Sequence, residues 1–263
     1  MANTPPAKSN TPMLIIGAVL VIAVLGGLYF YSASKPGSSN TNTTKANNSN
    51  AANTAKQTSI PANAPPGANP PNQSGSGSAL VTIEEFADFQ CPQCAATHPI
   101  MNEIKSTYGS RIKFIFRNYP LDIPAHDKSY EAAVAAEAAG MQGKFWDMQN
   151  LLFTNQRSWT ADANYKQIWK DYAQKIALDV PKWENDMAGI ATKARVDEDK
   201  KRAKGVGVNS TPTVYINNVE VPFAQVNVAG LKQIIDAELA KAPQGQPAPV
   251  APAAPAGNAP ANK

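Results

Sequence analysis

This chain is poor in the residues that most often carry chemistry. Its 263 residues include only two cysteines and two histidines. A zinc site drawn from Cys91, Cys94, His98 and His126 lacks a second ligand pair at standard spacing, so no metal is expected. Acid is missing from a whole region: residues 1–78 hold four lysines and no Asp or Glu. Between Ala79 and Lys241, nineteen Lys/Arg and twenty Asp/Glu nearly cancel, so the net +4 is not a property of that part. Such a balance offers no basic surface for nucleic acid, and no nucleic-acid partner is expected. From Ser32 to Ser78 large apolar residues are almost absent, replaced by Asn, Thr, Ser, Ala, Pro and Gly. That composition cannot bury a core and predicts a disordered tether over 32–78. Residues 242–263 alternate Ala and Pro and predict an extended tail.

One long apolar run is present. Met13 to Tyr31 carries no charge and is long enough to cross a bilayer as one helix. Lys8 before it suits a cytoplasmic N-terminus over residues 1–12, although Lys35 follows and weakens the bias. The rival is a cleaved signal peptide. Its apolar region would be shorter, and Tyr31-Ser32-Ala33 is a poor cleavage site. No cysteine follows to accept a lipid. The expectation is an anchor at 13–31 holding an exported domain at 79–241, in the periplasm or at the cell surface.

That domain, about 160 residues, is large enough for one real core. Ala79–Ala87 and Ile112–Phe116 read as strands rich in β-branched and aromatic residues. Thr213–Ile216 and Val219–Pro222 read as two more, joined across Asn217-Asn218, which tolerates a tight hairpin turn. Helical spacing governs the stretch from about 122 to 204, and Val228–Lys241 reads as a closing amphipathic helix. The order is strand, helix, strand, helical block, hairpin, helix: an α/β layout with a large helical insertion. Phe145, Trp146, Trp169 and Trp183 are assigned to its core. Lys200-Lys201-Arg202, following Asp197-Glu198-Asp199, reads as a solvated helix face.

The two cysteines stand at Cys91-Pro92-Gln93-Cys94, between the first strand and a helix over Ala95–Tyr108. Unpaired N–H groups at a helix start favour a thiolate at Cys91. Pro92 fits the first helical position, where its missing donor costs nothing. A structural disulfide across so short a loop constrains little chain entropy, so a redox pair is the stronger reading. Pro99 should kink the helix. His98, about two turns from Cys91 (roughly 10 Å), reads as a solvated or capping histidine, and His126 as a capping one.

Glu85 to Cys94, then Arg117-Asn118-Tyr119-Pro120-Leu121, Ala135 to Trp146 and Ser210-Thr211-Pro212-Thr213 together resemble the DsbA-like branch of the thioredoxin superfamily. The resemblance runs from Leu80 to Leu239. It implies a thioredoxin fold with an inserted helical subdomain and thiol–disulfide exchange outside the cytoplasm, without a cofactor. Cys91 is then the attacking cysteine, Cys94 the resolving one, Pro212 a cis proline facing them, and Thr211 a backbone contact for substrate. Glu85 matches the family's buried acid. Its neighbour Glu84 points the other way along the strand, and only one of the two is expected to face inward. Two positions depart from the family: Gln93 replaces the His of strongly oxidising members, and Ser210 a common Gly. The implied partners are exported polypeptides with free thiols and a membrane redox protein of DsbB or VKOR type. The same resemblance also admits a reductase or isomerase. A tethered binding or chaperone module without turnover would be marked by loss of a cysteine or of Pro212, and neither is lost.

Overall fold

The computed structural model describes residues 58–241. The expected anchor at 13–31, the first part of the tether and the Ala/Pro tail lie outside the described residues. Among those described, five strands form one sheet: β1 (Asn72–Gly75), β2 (Val81–Ala87), β3 (Ile112–Asn118), β4 (Thr213–Ile216) and β5 (Val219–Glu220). Their order is β1-β3-β2-β4-β5. β2 and β3 are parallel, and the other pairings are antiparallel. The parallel pair needs a crossover, supplied by α1 (Pro92–Tyr108). Asn217 and Asn218 both adopt positive φ, as a tight hairpin between β4 and β5 requires.

Six helices separate β3 from β4: α2 (Ser129–Gly140), α3 (Phe145–Thr154), α4 (Gln156–Ala161), α5 (Tyr165–Lys175), α6 (Val180–Ala188) and α7 (Ile190–Val206). α8 (Val228–Ala240) closes the domain. α2 runs through the insertion as a buried alanine-rich rod, and Trp159, Trp169 and Trp183 are buried around it. Alanine lets neighbouring helices approach closely while costing no side-chain entropy. α7 ends at Gly207, whose φ of 89° places it in the left-handed region; its N–H closes on Ala203 and Lys204. Pro99 lies inside α1, which continues past it to Tyr108.

The tether expectation is corrected over its last part. Residues 72–75 pair with β3, and Ser59 bridges to Val219. Residues 60–68 lie over the sheet face opposite α1, where Ile60 and Ala64 pack with Phe86, Tyr119, Tyr215 and Val206. Composition counts side chains, whereas this segment is held largely by its backbone. Arg202 donates to the Pro65 carbonyl, and Arg117 to those of Pro66 and Ala68. Asp199 accepts from the Ala68 N–H at 2.9 Å.

The same network corrects the solvated-face reading. Asp199 is fully buried, and Arg117 bridges it to Glu84 at 3.0 and 2.6 Å. Arg202 grips both oxygens of Glu84 at 2.6 Å. Lys201 is exposed as expected. Removing one partner from a buried charge network strands the others, so Asp199→Ala should cost about 3–5 kcal/mol in urea denaturation. It should also speed limited proteolysis between residues 58 and 71; wild-type stability and protection would show that the network does not hold the segment.

Candidate redox site

The site begins with a turn, Asp88 to Cys91, that leads β2 into α1. Asp88 is 1% exposed, and its carboxylate accepts from four groups. One oxygen takes the Gln90 N–H at 2.7 Å and the Ser129 hydroxyl at 2.5 Å. The other takes the Leu121 N–H at 2.8 Å and lies 2.7 Å from His126 Nδ1. The Asp88 carbonyl accepts from the Cys91 N–H, and its own N–H points at Cys94 Sγ at 3.5 Å. From the insertion, Gln156 Nε2 donates to the carbonyls of Phe89 and Cys91 at 2.7 and 2.9 Å. The cysteine-bearing turn is thus templated by side chains of the insertion.

Both cysteines are free thiols, and both are buried. Cys91 stands just before the first turn of α1, with Pro92 following. Its sulfur donates to the Thr211 carbonyl at 3.3 Å, and the Thr211–Pro212 peptide is cis. The Cys91 thiol is lowered from 9.0 to about 5, chiefly by a hydrogen bond from the Cys94 side chain. Burial opposes this, while the Thr211 side chain and the N–H groups of Cys94 and Gln93 support it. The Thr211 hydroxyl is buried and has no hydrogen-bond partner among the described residues, which leaves it free to turn toward Cys91. Cys94 moves the other way, pushed well above its ordinary value by burial and by its neighbour Cys91. One sulfur is prepared to carry charge and the other to carry a proton.

Glu85 is fully buried on the α1 face of the sheet, paired across the strands with Phe116 and Val214. Burial raises its carboxyl to about 7, against the pull of Lys105. Lys105, lowered in turn by burial, sits 4.6 Å from the Trp146 ring centroid and 5.2 Å from that of Phe114. The expectation that only one of Glu84 and Glu85 faces inward is corrected: both are buried, on opposite faces, because both faces are covered. His98 is also corrected. It is buried, stacks on Phe153 at 5.0 Å, and its Nε2 lies 3.0 Å from both Asn102 and Asn150. His126 engages the Asp88 side chain rather than a helix end.

Sequence reasoning missed Asp88, Lys105 and Gln156. Two of these left a signal. Asp88 is a lone acid three residues before Cys91, and Lys105 stands eleven residues past Cys94, three turns along the same face of α1. Gln156 is distant in sequence and left none. Gln93 is exposed beside the site and lines a groove with Ser210, Thr211, Pro212 and Phe223.

A family model described as thioredoxin matches residues 70–237, and the chain belongs to that family. Its fold is that of DsbA-like proteins. BdbD of Bacillus subtilis in its oxidised form superposes with a TM-score of 0.58 at 22% identity, over 67% of this chain and 98% of that one. The thiol-disulfide exchange protein alpha-DsbA2 of Wolbachia pipientis gives 0.54 at 19%, over 64% and 87%. Among curated relatives, the Na(+)/H(+) antiporter NhaA 1 of Mycolicibacterium gilvum is 32% identical over 145 residues. That match covers 54% of this chain and only 22% of the antiporter.

Two outcomes test this geometry. Ultraviolet thiolate absorbance of the reduced protein should titrate with a midpoint at about 5, and Cys94→Ala, which removes the largest cause, should move it upward. An unmoved midpoint would assign the effect elsewhere. For Glu85, a folded pKa raised from 4.5 to about 7 means stability that is full below 4.5 and lost as pH rises through 7. Glu85→Gln should therefore gain on the parent by roughly 3 kcal/mol between about pH 5 and pH 9 in urea titrations. Its exchange rate should lack an inflection near 7.

Proposed function

We propose that this protein, a thiol–disulfide oxidoreductase of the DsbA type, acts outside the cytoplasm and introduces disulfides into exported polypeptides. The observation that carries the reading is the division of labour between the sulfurs, with Cys91 lowered to about 5 and Cys94 raised. A thiolate stabilised in the dithiol state favours that state, and a protein whose reduced form is favoured oxidises its partners. The exchange starts when a substrate thiolate attacks Cys91 Sγ in the Cys91–Cys94 disulfide. The S–S bond breaks, Cys94 leaves with the electron pair, and Glu85 supplies its proton. A second substrate thiol then displaces Cys91 from the mixed disulfide. The substrate leaves with a disulfide, and the protein holds two thiols.

Reoxidation needs an acceptor of those two electrons, a membrane redox partner of DsbB or VKOR type. Anchoring through residues 13–31 would raise the effective concentration of the two proteins for each other. That curated relatives described as membrane antiporters contain a matching stretch supports a membrane-proximal setting. Gln93 bears no charge where an imidazolium would stabilise the Cys91 thiolate, so this is a milder oxidant than His-containing relatives. A fed-electron reductase or isomerase is the competing direction.

The directions separate in one comparison. The thiolate contributes stability that is present above the ordinary thiol value of 9.0 and is lost as pH falls through about 5. For an oxidant, the reduced protein should outlast the disulfide form in denaturant at neutral pH, with the gap closing toward pH 5. Cys91 and Cys94 should be mostly oxidised in intact cells, and Gln93→His should raise the reduction potential. A disulfide form more stable than the dithiol, with reduced cysteines in cells, would reverse the direction.

A further inference from the structure

Cys91 lies between two grooves of different chemistry. Gln93, Thr211 and Pro212 line the smaller one, about 240 Å³, on the cis-proline side. The larger, about 710 Å³, opens on the other flank of α1 and begins at Pro92, next to Cys91. Its walls are one side of α1 and the corner where α3 turns into α4. Phe153 and Pro99 give it an apolar lining, while Asn102, Asn150, Asn155 and Ser158 supply amides and a hydroxyl. Among its lining residues Arg157 is the one with a permanent charge, and it is exposed. The floor is built: His98 stacks on Phe153 and is held between Asn102 and Asn150. Gln156 lines the groove and donates to the Cys91 carbonyl, so the wall and the redox turn are one hydrogen-bonded unit.

We infer that this groove binds the extended segment of polypeptide substrate that flanks the reacting cysteine on the side away from Thr211–Pro212. This rests on the reading that the substrate is a polypeptide. A small thiol would fill little of 710 Å³. Amide side chains offer a donor and an acceptor each, which is what an extended backbone with unpaired N–H and C=O groups requires. Arg157 adds selectivity: a carboxylate on the flanking segment meets a cation able to pair with both its oxygens. The residues that do the chemistry take no part in this choice. Groove contacts lower the energy of the bound peptide without touching sulfur, so they should appear in KM for peptides and be silent for a small dithiol.

The test uses the full chain in its disulfide form. Two dithiol peptides, identical except for Glu or Lys beside the cysteine on the groove side, are compared with dithiothreitol as reductant of the protein. Ser158→Trp fills the groove from an exposed position, and Arg157→Glu reverses its charge. Both variants should react with dithiothreitol at close to the parent rate. Ser158→Trp should lose about tenfold in kcat/KM for either peptide, through KM. Arg157→Glu should invert a parent preference for the Glu peptide. Peptide kinetics unchanged in both variants, or dithiothreitol slowed as much as the peptides, would overturn the groove while leaving the redox reading intact. A parent inactive toward both peptides and dithiothreitol would overturn the redox reading and the groove with it.

Discussion

Two adjacent carboxylates on the central strand set most of what this domain can do. A strand alternates its side chains, so Glu84 and Glu85 face opposite sides of the sheet and cannot share a partner. Both sides are covered, and neither acid reaches water freely. The solutions differ. Glu84 is met by two guanidinium groups at 2.6 Å and held as an anion below the usual carboxylate range, their attraction outweighing its burial. Glu85 has only the more remote Lys105 and rises to about 7. The first arrangement ties together sheet, α7 and the segment before β1. The second leaves a protonated acid beneath the active site near neutral pH. Exchanging the surroundings of these neighbours would leave the fold without its clamp and the acid beneath the cysteines charged at neutral pH.

The inserted helices serve the same end from the other direction. A thioredoxin-like sheet with its crossover helix would present the two cysteines on a short turn with little to hold it. Here Asp88 joins that turn to Leu121, His126 and Ser129, and Gln156 holds the carbonyls of Phe89 and Cys91. Groups fixed in this way need not reorganise as charge develops on Cys91. Fixed donors act more strongly than free ones in a site from which water is largely excluded.

How much of this was legible before the structure follows from what sequence pattern can report. The strands around Ile83 and Phe114, the cysteine pair at a helix start and the Asn217-Asn218 hairpin are local features, and each lies where its spacing placed it. The clamp on residues 58–71 is not local. It depends on backbone carbonyls of Pro65, Pro66 and Ala68 meeting arginines up to 137 residues away, and carbonyls are invisible in composition. Asp199 and Arg202 read as a solvated face because a charge run normally is one; only the segment that covers them makes them interior. His98 differs from its sequence reading for a related reason. The helix flank it occupies is polar by composition, yet α3 packs against it and buries the ring on Phe153.

The strength of the redox couple can be argued from the donors around Cys91. They are the Cys94 thiol, the Thr211 side chain and N–H groups of the first turn of α1, all neutral. Neutral donors act over a bond length, whereas a cation would act over several ångströms and would be screened by salt. A thiolate held this way depends on the geometry of the turn more than on ionic strength. The Cys94 thiol is also the first donor to disappear when the disulfide forms, since its hydrogen is lost in that step. With the disulfide formed there is no thiolate on Cys91, so every one of these donors favours the dithiol state alone. The lowered Cys91 thiol is thus a property of the dithiol state, supplied by neutral groups of the turn and of Thr211 with no charged residue at position 93.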